Sequence, residues 1–330
     1  MKPRILTGDR PTGKLHIGHL VGHLQENVAL QDEYDTFMLV ADLHVLTTKP
    51  DGGELTNNIR ELVRSYIAVG LDSTKVTFFL QSGVLEIAQL AIILGNYITV
   101  NRLQRVPTLK EVMSDLHIEQ PPFGLLGYPV LMAADILSFK AKVVPVGEDQ
   151  LAHLEVTREL ARRLNGQIGD ILVEPEPKIS VTRRLPGTDG GAKMSKSLGN
   201  TIELFATPEE LKKKVMSMYT DPNRLKATDP GEVEGNPVFM YHDAFNQNTA
   251  EVEALKERYR QGKVGDVEVK ECLLSVLDTL LQPIRERGAA VTDDQITELL
   301  QVGTDKARAV ARQTLAEVKE AIGLGGGLLK

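Results

Sequence analysis

The chain has 330 residues, of which 42% are hydrophobic and 25% charged, the composition of an ordinary globular protein with room for one large or two smaller domains. A formal net charge of −7 argues against indiscriminate nucleic-acid binding, although basic patches at Arg183–Arg184 and Lys212–Lys214 are candidates for binding a specific RNA. No apolar run is long enough to span a bilayer, and the first residues, MKPRILTGDR, have no apolar signal core. A single cysteine excludes an internal disulfide. We therefore expect a cytoplasmic protein without membrane contact.

Apolar runs that alternate with amphipathic segments predict a parallel sheet in the first part of the chain. The predicted strands are Arg4–Thr7, Thr36–Ala41, Val76–Leu80 and Lys142–Val146. Helical spacing follows the first strand, covers residues 54–69, and resumes near Asp149. Strands that alternate with helices indicate an α/β fold, in which helices cover both faces of a Rossmann-like parallel sheet.

From about residue 207 the pattern is helical only. Thr207–Glu210 and Thr292–Gln295 both have the capping-box pattern that begins a helix. We therefore predict a catalytic α/β domain over residues 1–200, followed by an all-α domain over 201–330.

The turn after the first strand carries two candidate phosphate-binding patterns. Gly8–Leu15 nearly fits a phosphate loop, but Leu15 stands where a hydroxyl would bind Mg²⁺. The next residues, His16-Ile17-Gly18-His19, open a helix, whose amino terminus favours anions. Two imidazoles there can donate hydrogen bonds to phosphate oxygens. Zinc binding by His16, His19 and His23, or plain surface histidines, remain alternatives.

A second motif stands far along the chain, in GGAKMSKSLGN at residues 190–200. Its two lysines indicate an anionic ligand, and Gly190, Gly191 and Gly199 are candidate hinges that let the loop close. Either motif alone fits a solvated surface. HIGH followed by KMSKS, in this order on an α/β frame, resembles the class I aminoacyl-tRNA synthetases.

Three further stretches are similar to bacterial tryptophanyl-tRNA synthetases: YPVLMAADIL at 128–137, VPVGEDQ at 144–150, and the pattern HxExTR at 153–158. Tyrosyl-tRNA synthetases typically have GGSDQ at the second stretch. The chain departs from the family at Arg10, where glutamine is common, and at Arg105–Lys110, where RMTQFK is common.

Asp135 supports the tryptophan assignment on chemical grounds. An indole offers one hydrogen-bond donor and no acceptor, so a selective pocket needs a fixed acceptor. Such a site can reject the wrong side chain by about 10⁴–10⁵. Asp135 lies in an apolar helical segment, where a carboxylate is unusual, although a local salt bridge is the alternative.

The resemblance implies the reaction and its participants. Tryptophan and ATP, with Mg²⁺ carried by the nucleotide, would form tryptophanyl-adenylate and pyrophosphate, and tRNA(Trp) would then accept the tryptophanyl group. It also implies a homodimer, whose interface would include a connecting insertion at about 48–127, notably Leu90–Leu94, and no tightly bound protein metal. A tyrosyl enzyme, another nucleotidyltransferase and a non-enzymatic paralogue stay open as alternatives.

The resemblance further assigns roles to individual residues. Those implied to be catalytic are His16, His19, Lys193 and Lys196. Those implied to bind ATP are Arg10, Thr12, Gly18, His19, Gly147, Asp149, Gln150, Lys193, Met194, Ser195 and Lys196. Those implied to bind tryptophan are Leu6, Gly8, His44, Tyr128, Met132, Asp135, Val144 and Val146.

Overall fold

The computed structural model of the chain describes residues 2–49, 51–115, 117–179, 185–191, 194–195, 198–221, 224, 226 and 228–325. A parallel sheet lies at the centre of this part of the chain. Its strands are β1 (Arg4–Asp9), β2 (Asp35–Val40), β3 (Val76–Leu80), β4 (Val143–Val146) and β5 (Glu176–Ile179), in the order β3-β2-β1-β4-β5. The order reverses between β1 and β4, and open α/β sheets bind ligands at such a point, beyond the carboxyl ends of the strands.

Strand β2 is buried on both faces of the sheet. Phe37 and Leu39 pack into one hydrophobic cluster, and Met38 and Val40 pack into the other. A strand covered on both sides needs a continuous apolar run rather than an alternating one, and TFMLVA supplies it.

Helices connect the strands and cover the sheet. Those before residue 207 are α1 (Ile17–His19), α2 (Gln25–Leu30), α3 (Asp42–Leu46), α4 (Leu55–Val69), α5 (Leu85–Gly95), α6 (Val100–Leu103), α7 (Pro107–Asp115), α8 (Phe123–Ser138) and α9 (Leu151–Ile168). A turn of π-helix, Leu20–Leu24, joins α1 to α2, and short 3₁₀ turns occupy Gln81–Gly83 and Glu148–Gln150.

The second part of the chain is helical over its described residues. Its helices are α10 (Pro208–Met216), α11 (Pro237–Phe245), α12 (Thr249–Arg260), α13 (Asp266–Ala290) and α14 (Asp293–Ala321). Thr207 and Thr292 form the predicted capping boxes at the starts of α10 and α14. No helix in the described ranges combines the length and apolarity needed to cross a bilayer.

Helix α14 packs directly on the edge strand β3. The Thr304 hydroxyl accepts a hydrogen bond from the Leu80 amide at 3.1 Å. Gly303 lies so close to β3 that an added Cβ would stand 1.8 Å from the Phe78 carbonyl oxygen. The helical part of the chain therefore covers the edge of the sheet, while the boundary between residues 200 and 201 stays a prediction.

The predicted fold class, a parallel α/β sheet followed by helices, is confirmed. Strand β1 extends two residues beyond the predicted Thr7, to Asp9. Strand β5 was not predicted, because its sequence EPKI combines a proline with charged residues and its side chains are mostly exposed. β5 pairs with β4 at a sheet edge, where strands tolerate this composition.

Candidate active site

A cavity of about 720 Å³ opens at the carboxyl ends of β1 and β4, where the strand order reverses. Its lining includes residues of β1, β2 and β4 and of α3, α7, α8 and α9. Its lining combines apolar side chains such as Leu6 and Met132 with a few polar groups. This composition is typical of a small-molecule site.

A buried carboxylate, Asp135 on α8, borders this cavity with 2% of its surface exposed. His44 Nε2 lies 2.9 Å from Asp135 Oδ2. The Gln81 side-chain amide donates to both carboxylate oxygens, at 2.8 and 2.9 Å. Gln81 is itself fully buried, and its oxygen accepts from the Leu43 amide, so its orientation is fixed. Together these contacts hold the carboxylate rigidly.

The electrostatics of Asp135 follow from this enclosure. Burial raises the pKa of the Asp135 carboxyl above its ordinary value, and the hydrogen bonds from His44 and Gln81 oppose that rise. The nearby Asp42 raises it further. The ionised form of Asp135 is therefore stabilised by its two hydrogen-bond donors, His44 and Gln81.

A second polar network lies on another part of the cavity wall. The Tyr128 hydroxyl is 2.5 Å from His153 Nε2 and donates to Thr108 Oγ1 at 3.0 Å. His153 Nδ1 is 3.2 Å from Gln150 Oε1. Burial raises the pKa of the Tyr128 phenol. All four residues line the cavity, so α7, α8 and α9 are joined where a polar ligand group would bind.

The HIGH histidines hold each other in place at the start of α1. His16 is the N-cap residue, with an extended backbone, and its Nδ1 accepts from the Gly18 amide at 3.2 Å. His19 Nδ1 accepts from the His16 amide at 3.2 Å. A ring nitrogen that accepts carries no hydrogen, so in each neutral ring the hydrogen is on Nε2. This tautomer suits a ring that donates to phosphate.

Two glycines are required by close packing. A Cβ on Gly8 would stand 2.0 Å from the Leu39 carbonyl oxygen, because β1 and β2 approach closely there. A Cβ on Gly18 would stand 2.8 Å from His16 Nδ1 and 3.0 Å from Met194 Sδ. Gly18 therefore lets the KMSKS methionine pack against the HIGH turn.

Backbone pairing joins the two motifs. The Ile17 amide donates to the Ile202 carbonyl, and the Leu204 amide donates to the Leu15 carbonyl. Met194 is buried in the same hydrophobic cluster as Ile17. HIGH and the segment around KMSKS are thus neighbours in space, although they are far apart in sequence.

The base of the KMSKS loop is fixed by Asn200. Its side chain accepts from the Ser195 amide at 2.7 Å and donates to the Asp189 carboxylate at 3.0 Å. Of the candidate hinges, Gly190 and Gly199 have positive φ angles, +84° and +65°. These conformations favour glycine, and Gly191 does not share them.

Comparisons with known proteins agree with this geometry. The family described as tRNA synthetases class I (W and Y) matches residues 1–282. The chain belongs to this family. The tryptophan–tRNA ligase of Treponema pallidum is 50% identical over 326 residues, 97% of each chain. The ligase of Borreliella burgdorferi is 48% identical over 332 residues, 98% of this chain and 95% of the relative.

A solved structure is similar to this synthetase along almost its whole length. The tryptophanyl-tRNA synthetase of Campylobacter jejuni, complexed with ADP and tryptophan, superposes with a TM-score of 0.88 at 34% identity. The match covers 97% of this chain and 100% of that one. An aminoacyl-tRNA synthetase fold is therefore shown for both parts of the chain.

The structure of this synthetase brings many of the predicted site residues together. All eight residues implied to bind tryptophan line the cavity, as do Arg10 and Gln150. Several residues implied to bind ATP do not line the cavity: Thr12, Gly18, His19, Gly147, Met194 and Ser195. His16, which is implied to be catalytic, does not line it either. Asp149 lies in the 3₁₀ turn before α9. Lys193 and Lys196, like Arg183–Arg184, lie outside the described residues, and the individual roles stay predictions.

Several residues that line the cavity or support its wall are not indicated by the sequence. Gln81 follows the carboxyl end of β3, as His44 follows that of β2. Because ligands bind beyond the carboxyl ends of parallel strands, this shared position could have indicated a role for Gln81 in the site. His153 stands in a family-like stretch and Thr108 in the stretch that departs from the family, and neither position is among the implied site residues. Asp9 and His23 also line the cavity. Their pairing crosses from a strand to a π-helical turn, which no local pattern indicates.

Within the described residues, no group of three or more His, Cys, Asp or Glu side chains is arranged to hold a metal ion. The zinc interpretation of His16, His19 and His23 finds no support in the rings' contacts. The His19 ring accepts from the His16 amide, the His16 ring accepts from the Gly18 amide, and the His23 ring pairs with Asp9.

Proposed function

We propose that the protein is a tryptophan–tRNA ligase that acts in the cytoplasm, where it charges tRNA(Trp) for translation. In the first step the tryptophan carboxylate attacks the α-phosphate of ATP, which forms tryptophanyl-adenylate and releases pyrophosphate. In the second step a ribose hydroxyl at the tRNA 3′ end takes the tryptophanyl group and releases AMP.

The observation that carries this proposal is the buried Asp135 carboxylate, fixed by Gln81 and His44 at the cavity wall. The indole N–H is a single donor, and Asp135 is an acceptor held in one orientation. A carboxylate has about four acceptor sites, and a phenylalanine side chain would bring no donor to the one that Gln81 and His44 leave open. A site built around such a hydrogen bond discriminates strongly against a side chain that lacks the donor. Val144, Val146 and Met132 supply the apolar walls.

The amino-acid head group would lie towards the polar network of Tyr128 and Gln150. These groups, with Thr108 and His153, could hold the ammonium while the carboxylate points to the nucleotide. Arg10 lines the same cavity, and its guanidinium would attract the reacting carboxylate or the α-phosphate. Catalysis is then mainly positioning plus stabilisation of phosphate charge.

The HIGH turn and the KMSKS loop would hold the ATP phosphates. The packing of Met194 against Gly18 supports this role, because it sets the two motifs side by side. Mg²⁺ would enter with ATP, coordinated by phosphate oxygens. Lys193 and Lys196 are proposed from the motif alone.

The exposed surface supports proposals for two partners. Lys212 and Lys213 are exposed on α10 and could contact the tRNA backbone. Exposed apolar side chains on one stretch of the chain support a second copy as partner: Leu85, Ile92, Val100 and Phe123 are 61%, 74%, 54% and 89% exposed. Of the predicted interface stretch Leu90–Leu94, Leu90 and Leu94 are buried in the protein's own core, while Ile92 faces outwards.

ATP–pyrophosphate exchange, measured with each of the twenty amino acids, tests the proposal. Tryptophan alone should support rapid exchange, and the enzyme should then charge tRNA(Trp). Exchange with tyrosine instead would assign the protein to the other branch of the family. No exchange with any amino acid would overturn the proposed activity.

A further inference from the structure

Asp9, the last residue of β1, carries a carboxylate that borders the cavity beside Arg10. Two donors converge on one of its oxygens. His23 Nε2 lies 3.0 Å from Asp9 Oδ2, and the Tyr66 hydroxyl lies 2.9 Å from the same atom. Tyr66 is fully buried and stacks on Phe78, so it anchors the carboxylate from behind. His23 borders the cavity.

His23 also connects this pair to the HIGH turn. Its ring lies edge-on to the ring of His19, with centroids 6.0 Å apart, and the rings of His19 and His16 are 3.9 Å apart. The π-helical turn Leu20–Leu24 carries His23, and such turns often occur at functional sites. The Asp9–His23 pair therefore lies between the tryptophan side of the cavity and the HIGH motif.

The charges of the pair are strongly coupled. Burial alone would raise the pKa of the Asp9 carboxyl, but the charge and hydrogen bond of His23, the charge of His19 and the hydrogen bond of Tyr66 together outweigh it and lower that pKa to about 2. Burial would lower the pKa of His23, but the charge and hydrogen bond of Asp9, with the charge of Glu26, raise it instead. Both shifts favour the charged forms, an ionised Asp9 carboxylate and a protonated His23 imidazole.

An ionised carboxylate is unfavourable beside a triphosphate unless a cation neutralises it. We propose that His23 is an ATP-affinity residue: held by Asp9, its imidazolium cancels a negative charge that would otherwise repel the nucleotide, an inference that rests on the ATP site proposed above. His23 is not proposed to touch ATP; it acts through Asp9, whose charge it neutralises, and is therefore a positioning residue. This role differs from those of the HIGH histidines, because it requires an acidic partner on β1.

The variant His23→Gln tests the inference, because glutamine keeps a donor for Asp9 but has no charge. The KM for ATP in tryptophan-dependent exchange should rise by about tenfold, the scale of one unscreened charge near the phosphates. Tryptophan affinity should stay unchanged. The chain contains no tryptophan, so fluorescence of the ligand itself measures that affinity.

The double variant Asp9→Asn/His23→Gln distinguishes charge from packing. It removes both charges, and the KM for ATP should return to within about threefold of the wild-type value, because no unpaired carboxylate remains. His242→Gln is the matched control. His242 is a buried histidine on α11 that contacts the Val269 carbonyl, and its loss should leave this KM unchanged.

The outcomes separate the two proposals. A wild-type enzyme without tryptophan-dependent exchange would refute the proposed function. Normal wild-type exchange, with an unchanged KM in His23→Gln or with no recovery in the double variant, would overturn the inference alone. Circular dichroism and tryptophan binding show whether each variant is folded, and His23→Asn gives the same test if the glutamine variant is not.

Discussion

Replacement of Asp135 by asparagine tests how this synthetase recognises indole. The substitution keeps the shape of the side chain but removes its charge. Both oxygens of Asp135 accept from the Gln81 amide, at 2.8 and 2.9 Å. Whichever oxygen becomes the new NH₂ group, it will face a donor. The variant therefore loses a charged acceptor and gains a donor–donor conflict.

The expected magnitudes follow from these contacts. A hydrogen bond to a charged group contributes about 1.5–3 kcal/mol, so tryptophan should bind about 10- to 150-fold more weakly. The buried donor conflict should lower the free energy of unfolding by about 1–3 kcal/mol. Both effects should appear in one variant, because the same carboxylate serves substrate and structure.

Ligand fluorescence measures the dissociation constant, since the protein contributes no tryptophan signal. Denaturant unfolding followed by circular dichroism measures stability. Ser138→Ala is the control: Ser138 is buried on the same helix but does not line the cavity. A dissociation constant for Asp135→Asn within twofold of wild type would refute indole recognition by this residue.

The pH dependence of binding adds a second criterion. Burial raises the pKa of Asp135, so in the wild type the carboxylate becomes protonated at a higher pH than an ordinary aspartate. Tryptophan affinity should fall as the pH is lowered through that raised pKa. The same decrease should be absent from Asp135→Asn. If both proteins lose affinity in parallel, another group controls binding.

Three further predictions concern other parts of the chain. The pKa of Asp9 is lowered from 3.8 to about 2, so its ionised form stabilises the fold at neutral pH. Asp9→Asn should therefore lower the free energy of unfolding by about 2 kcal/mol at neutral pH. When stability is measured at decreasing pH, this difference between variant and wild type should disappear between about pH 4 and 2. Gly18→Ala should displace Met194 and lower the exchange rate by about tenfold or more, and an unchanged rate would show that the HIGH turn tolerates a methyl group. Gly303→Ala should lower the unfolding free energy by about 1–3 kcal/mol through a clash with the Phe78 carbonyl; a higher melting temperature, as helix propensity alone predicts, would contradict that packing.

The sequence predicted those features that local patterns encode. Strands β2 and β3 were located because they are buried on both faces and therefore mostly apolar along their length. Asp135 stood out because a carboxylate in an apolar helix needs a reason. Both capping boxes were recognised because their contacts are only three residues apart.

Features that depend on distant contacts were not predictable in this way. Strand β5 lies at an edge and has no apolar signature. The contacts of Gln81 with Asp135 and of Asp9 with Tyr66 join residues 54 and 57 positions apart. Such pairings arise from the packing of the sheet and helices, and each residue alone resembles an ordinary surface polar group.

The contact between α14 and β3 has a consequence for how the chain is made. Leu80 and Thr304 are 224 positions apart, so a ribosome completes β3 long before it synthesises the helix that covers it. During that interval the nascent sheet has an unprotected edge, which is prone to pair with other chains. The edge of β3 is therefore covered only once α14 has emerged from the ribosome. A chain whose synthesis stalls before that point would keep the edge exposed and remain a target for chaperones.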